Sequence, residues 1–132
     1  MNAIHGTVKR ISSLNGVSQV EVKTDLGDLY TVVLSAPHQA AFVEEGRRVE
    51  CIVKESSIIL MKEKTPCINT FVGVVKSVER GSVLSLVKLT CAGLELKVML
   101  LTKQLDALGI SEGEEVYVFV PPLQVALEAV HE

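Results

Sequence analysis

The sequence predicts a mainly β protein made of two tandem five-stranded barrels, each carrying one short helix. Three observations carry that expectation. A single offset of 67 positions (73 − 6 = 67) maps the first half onto the second, setting Gly6-Thr7-Val8-Lys9 on Gly73-Val74-Val75-Lys76. The same offset sets Gly46-Arg47-Arg48-Val49 on Gly113-Glu114-Glu115-Val116 and Ser35 on Thr102. Short alternating apolar runs recur between Gly- and Asp-containing turns, and one helix-like stretch with end signals falls between the third and fourth run of each half.

Taken in order, Ala3–Ile11 carries Ile4, Val8 and Ile11 around a glycine and reads as the first strand. Val17–Val22 alternates strictly, so Ser18, Val20 and Val22 share one face. Asp25-Leu26-Gly27-Asp28 is a turn by its Asp and Gly content, and Leu29–Leu34 resumes the β pattern. A short helix is expected over Ala36 to about Glu44, with Ser35 as its N-cap, Pro37 in its first turn and Gly46 after its end. Val49–Val53 and Ile58–Met61 close the first copy, broken at Glu55-Ser56. The second copy repeats the plan with strands at Thr70–Val78, Val83–Leu89, Leu94–Leu101, Val116–Val120 and Gln124–Leu127. Its helix spans Lys103–Leu108, capped by Thr102 and stopped by Gly109. The turn glycines align only with slippage, Gly16 against Gly81 and Gly27 against Gly93. The polar, proline-ended stretch Lys62-Glu63-Lys64-Thr65-Pro66 reads as a linker, so the expected modules are residues 1–64 and 65–132. The order β-β-β-α-β-β, twice, describes an OB-like five-stranded barrel in tandem.

Bulk properties narrow the function. Each module is near the size at which a single core barely suffices, so each is expected to lean on its twin or on other chains. With aromatics at 4% and no Trp, the core must be Val, Leu and Ile. The net charge of −3 and the lack of a polybasic run argue against a nucleic-acid backbone binder, and Phe42, Phe71, Phe119, Tyr30 and Tyr117 are too few to build base-stacking platforms. Cys51, Cys67 and Cys91 have no CxxC spacing and read as reduced thiols serving as small buried hydrophobes. No signal peptide or membrane-spanning apolar run is present, so a cytoplasmic location is expected. The Glu44-Glu45 and Glu112/Glu114/Glu115 clusters sit in polar turns and read as solvated loops. No nucleophile elbow, catalytic triad order or phosphate loop appears, so neither an enzyme nor an organic cofactor is expected.

The second copy carries a family pattern: Gly73-Val74-Val75-Lys76-Ser77-Val78-Glu79-Arg80-Gly81, then Leu101-Thr102-Lys103, then Leu108-Gly109-Ile110-Ser111-Glu112-Gly113-Glu114-Glu115-Val116-Tyr117. This resembles the Mop, or molbindin, module of the wider TOBE family. In the first copy Val53-Lys54-Glu55-Ser56-Ser57-Ile58-Ile59-Leu60 resembles that family's closing Lys-Ala-Ser segment. Two tandem copies resemble the di-Mop arrangement of cytoplasmic molybdate-storage proteins and of the effector part of a molybdate-responsive regulator. The resemblance implies a binder of molybdate or tungstate, holding the oxyanion at interfaces between modules for storage, homeostasis or sensing, in a homo-oligomer (dimer or trimer) with no nucleic-acid or membrane partner. By position it implicates Lys54, Ser56, Ser35, Thr102 and Asn69 in oxyanion binding and no direct metal ligand. Asn69, with Asn2 as its counterpart, is what survives of the family's N-terminal Ser-Ala-Arg-Asn motif; Pro66 and Ile68 replace its Ser and Arg. Glu55 replaces an Ala, and in copy two the Lys-Ala-Ser segment has become Pro121-Pro122-Leu123. Those departures open an alternative, a degenerate structural or regulatory module that binds a protein partner or another small anion.

The chemistry fits the residue types. A compact dianion is held by hydroxyls, backbone amides and a cation or two. Ser35 and Thr102 could present hydroxyls beside helix-end amides, Lys54 a point charge and Ser56 a donor. The simpler roles are capping for Ser35 and Thr102, a solvated charge for Lys54, turn formation for Ser56, and local backbone bonding for Asn69.

Overall fold

A computed structural model describes residues 1–34 and 42–130. Among these residues ten strands form two five-stranded antiparallel sheets. In chain order they are β1 (Asn2–Leu14), β2 (Val17–Thr24), β3 (Gly27–Leu34), β4 (Arg48–Val53), β5 (Ile59–Met61), β6 (Thr70–Arg80), β7 (Leu84–Cys91), β8 (Leu94–Leu101), β9 (Glu115–Phe119) and β10 (Ala126–Ala129). The helix α1 (Thr102–Leu108) lies between β8 and β9. Single 3-10 turns at Glu55–Ser57 and Pro122–Gln124 precede β5 and β10.

The offset of 67 seen in the sequence holds in three dimensions. β2 and β7, β3 and β8, and the two 3-10 turns coincide residue for residue under it. So do finer details. Each first strand has a bulge, at Lys9 and at Lys76, where its register shifts. At each bulge a valine exchanges two backbone bonds with the chain before the fourth strand: Val8 with Gly46 and Arg47, Val75 with Gly113 and Glu114. Lys9 pairs with Asp28, and Lys76 with Glu95, at equivalent positions.

The sheets do not divide where the repeats do. Their orders are β10-β4-β1-β2-β3 and β5-β9-β6-β7-β8. The last strand of each repeat has crossed to the other repeat's sheet: Ile59–Met61 pairs with Met61↔Tyr117 to Ile59↔Phe119 on β9, and Ala126–Ala129 runs along β4. Each repeat therefore completes its twin, which gives the leaning expected of such small modules a specific form. The interiors are built from alternating strand positions, with Val20, Val22, Leu29, Val49 and Cys51 on one side and Val87, Leu89, Cys91, Val116 and Val118 on the other, all fully buried. Val and Leu dominate this core, as the shortage of aromatics requires. Beta-branched residues suit such a half-buried pleated surface.

β8 spans the residues the sequence predicts, and most other strands agree within two or three. β1 runs to Leu14 because Asn15-Gly16, both at positive φ (52° and 79°), make a two-residue hairpin turn that extends pairing to Leu14↔Val17. β7 starts at Leu84, not Val83, and β10 starts at Ala126 because Pro122–Gln124 is a turn. Helix α1 ends as expected, with Gly109 left-handed at φ 64° and its N–H on the Leu105 carbonyl. Its start differs: Thr102 is the first helical residue, Leu101 holds the cap position, and no side chain caps the end. Most of the first copy's expected helix, with Ser35, lies outside the described residues; beyond it Phe42 is in a turn and residues 43–44 are irregular.

Candidate functional site

The strand exchange decides where the implicated residues go. To carry β5 across, the chain must turn at Lys54–Ser57, and this turn packs on β8, the edge strand of the other sheet. Its mate, Pro121–Gln124, packs on β3. The two turns meet, Ser57 Oγ lying 3.4 Å from Gln124 Oε1, and those two residues are equivalent under the repeat. The first turn is closed by the Ser57 amide donating to the Lys54 carbonyl at 3.0 Å. Lys54 and Ser56 are exposed, and neither side chain is engaged by another described residue. Glu55 turns towards the Met1 amine, 2.5 Å away. That ammonium, then the backbone of Glu55 itself, holds the carboxyl below the usual carboxylate range, and Lys97 of β8 contributes to the same shift.

Asn69 has a different office. It is 2% exposed and sits at φ 59°. Its Oδ1 accepts from the Tyr30 amide at 2.8 Å, and its Nδ2 donates to the Tyr30 carbonyl at 2.8 Å and to the Val120 carbonyl at 2.9 Å. Both amide hydrogens are thereby used on backbone. Asn2 does the same on the other side, donating to the Lys97 carbonyl and accepting from the Lys97 amide, each at 2.8 Å. The two contacts are images under the repeat, Asn2 on Lys97 and Asn69 on Tyr30. Each asparagine acts as one residue of extra strand on the other repeat's edge strand. Sequence reading missed the Lys97 and Tyr30 partners; the shared offset between Asn2 and Asn69 was the available signal.

Thr102 is also occupied. It is 7% exposed; its amide donates to Val83, its hydroxyl donates to the Gly81 carbonyl at 2.8 Å, and the Ser85 hydroxyl lies 2.7 Å away. It ties α1 to the β6–β7 connection, and the structure does not bring it to Lys54 and Ser56. Gly81 permits this connection, since a Cβ there would stand 2.3 Å from the Leu84 carbonyl oxygen.

Glu44, Glu45 and Glu112 are exposed in loops, whereas Glu114 is half-buried and Glu115 opens β9; Glu44 lies near Arg47 and Glu114 near Lys62, each 3.8 Å apart. Cys51 and Cys91 are fully buried, which pushes their thiols up to about 12 and about 11. Cys67 is exposed, contrary to its expected burial, because it lies in the irregular segment between β5 and β6. No cluster of three or more His, Cys, Asp or Glu suited to a metal ion occurs among the described residues. No helix among them is long and apolar enough to cross a membrane.

Residues 67–127 match the TOBE domain family. Among solved structures, the chain is similar to the molybdate-bound crystal form of ModG, described as a cytoplasmic molybdate-binding protein, with a TM-score of 0.88 and 24% identity over 98% of this chain and 96% of that one. At that identity the likeness establishes the shared fold, end to end. A search of curated proteins found no significant match.

Proposed function

For a chain whose residues 67–127 match the TOBE domain family and whose whole fold is shared with ModG, we propose a role as a cytoplasmic binder of molybdate or tungstate that stores, buffers or senses the oxyanion. It is a binder and not an enzyme. The observation that carries this reading is the Lys54-Glu55-Ser56 turn: it is seated between modules, and the Lys54 ammonium and Ser56 hydroxyl are unspent among the described residues. An ammonium and a hydroxyl suit a fully deprotonated dianion, which presents only acceptors. ModG, which binds molybdate, supports the choice of ion. Ser35 belongs to the same proposal. Asn69 enters it as a residue that shapes the module interface, and Thr102 as one that ties α1 to the β6–β7 connection within the second module, since both side chains are engaged within the protein.

Assembly as a homodimer or trimer is part of the proposal. Exposed apolar side chains gather at matching ends of both modules, with Val17 44% and Leu34 74% exposed in one and their equivalents Leu84 and Leu101 each 52% exposed in the other. Such paired patches are suited to contacts between copies.

Titration calorimetry of ligand-free protein with molybdate and tungstate, against sulfate and phosphate, tests the function. The expected result is a dissociation constant of about micromolar or tighter for molybdate or tungstate, or about −8 kcal/mol, with sulfate and phosphate much weaker. Absence of binding would overturn it. The second reading, a degenerate module serving a protein partner or another small anion, is favoured by Pro121-Pro122-Leu123, which puts no side-chain donor at the positions equivalent to Lys54, Glu55 and Ser56. It predicts no molybdate or tungstate binding.

A further inference from the structure

The two turns that meet between the modules stand over different ground. β7 and β8 place Lys88 directly opposite Lys97. Directly opposed residues of an antiparallel pair point to the same face, and the alternation of buried Leu96 and Val98 with exposed Lys97 puts that face outside. Like charges so placed destabilise a sheet. Lys88 has a distant partner in Glu79, 3.9 Å away, while the Lys97 ammonium makes no ion pair within 4 Å among the described residues. Lys97 is also the residue whose backbone is clamped by Asn2, and its charge reaches Glu55 in the Lys54 turn.

The equivalent ground under the second turn is of opposite character. Lys88 and Lys97 become Glu21 and Tyr30, again directly opposed. The Tyr30 hydroxyl donates to Glu21 at 3.0 Å, and Lys9 lies 3.6 Å from that carboxylate. Lys54 and Ser56 become Pro121 and Leu123. Four positions change together: three lysines and a serine at one junction, a glutamate, a tyrosine, a proline and a leucine at its image. One junction has an unbalanced cationic surface, and the other is balanced internally.

We propose that Lys97 and Lys88 of the second module join Lys54 and Ser56 of the first in one composite site for a small tetrahedral dianion, and that the image junction at Pro121, Leu123, Tyr30 and Glu21 has become purely structural. This rests on the oxyanion-binding reading and adds residues that neither the motif nor the family pattern points to. The dianion would relieve the Lys88–Lys97 repulsion, and the Asn2 clamp would fix the edge strand that presents Lys97.

The experiment is calorimetry with molybdate on the wild type, Lys97→Ala, Lys88→Ala, Lys97→Arg and, at the image junction, Tyr30→Phe. Removing one charge a few ångströms from a dianion at a wet site should weaken binding about tenfold. The expected pattern is that loss for both alanine variants, with a shallower dependence of affinity on salt, near-wild-type binding for Lys97→Arg, and no change for Tyr30→Phe. Thermal denaturation alongside checks that the alanine variants remain folded. Wild-type binding that survives both alanine variants unchanged would overturn the composite site and leave the oxyanion reading standing. No binding by the wild type would overturn both. A loss with Tyr30→Phe equal to that with Lys97→Ala would overturn the assignment to one junction.

Discussion

Replacing Asn69 by alanine should destabilise the protein more than its single polar side chain suggests. Three hydrogen bonds end on that amide, two with Tyr30 backbone and one with the Val120 carbonyl. Only the Val120 bond is fully buried; the Tyr30 pair is part-buried, and water can partly replace it. An unsatisfied buried backbone group costs roughly 1–3 kcal/mol, so the lost bonds amount to about 2–3 kcal/mol. Asn69 also holds a φ of 59°, which alanine adopts at a further cost of about 1 kcal/mol. The total, about 3–4 kcal/mol, is a large part of the 5–15 kcal/mol typical of a domain. In a chain of this size it should lower Tm by roughly 10–15 °C. Asn69→Gly separates the terms, because it loses the bonds but tolerates the backbone, and should recover about 1 kcal/mol relative to alanine. Urea denaturation followed by circular dichroism measures both. An alanine variant within about 0.5 kcal/mol of wild type would refute the claim that this side chain splices the two repeats, and equal glycine and alanine variants would refute the backbone part.

Lys54→Ala should weaken molybdate binding at least about tenfold, the effect of losing one charge beside a dianion, with an unchanged circular dichroism spectrum and assembly state; unchanged affinity would remove Lys54 from the site. Glu55→Ala should tighten binding several-fold in the same titration, since it removes a like charge and releases the Met1 amine. The Glu55 carboxyl is held below its usual range, so the stability it adds is present above the ordinary carboxylate pKa and fades as pH falls through the lowered value; the pH dependence of urea stability in wild type but not Glu55→Ala checks the sign. At pH 8 a thiol reagent should label Cys67 at once and leave Cys51 and Cys91, whose thiols sit at about 12 and about 11, until urea is added; labelling counted by mass spectrometry decides it.

Much of the fold was legible because local rules govern it. Leu96, Val98 and Leu100 alternate cleanly, and β8 falls where they place it. Gly109 follows Leu108 and stops α1 as a left-handed C-cap must. The repeat offset survives because cores and bulges fix it, while glycines such as Gly81 move within a turn to wherever backbones approach most closely. The exchange of β5 and β10 was not legible. Ile58–Met61 presents the same alternating face whichever sheet receives it, so its partner is set by chain geometry after the Lys54 turn and not by pattern. The candidate site divides the same way. Lys54 and Ser56 stand out as the motif suggests, whereas Asn69 and Thr102 look like donors in sequence but spend those donors on backbone that only the tertiary fold brings near. Lys97 and Lys88 gave no sign alone, because a cross-strand pair is visible only once register is known.

The most direct measurement is anomalous diffraction at the molybdenum edge from crystals grown with molybdate. An anomalous peak within hydrogen-bonding reach of Lys54 Nζ and Ser56 Oγ, on the β8 side of the module junction, is the result predicted. Molybdenum peaks confined to other surfaces, or none at saturating molybdate, would contradict it.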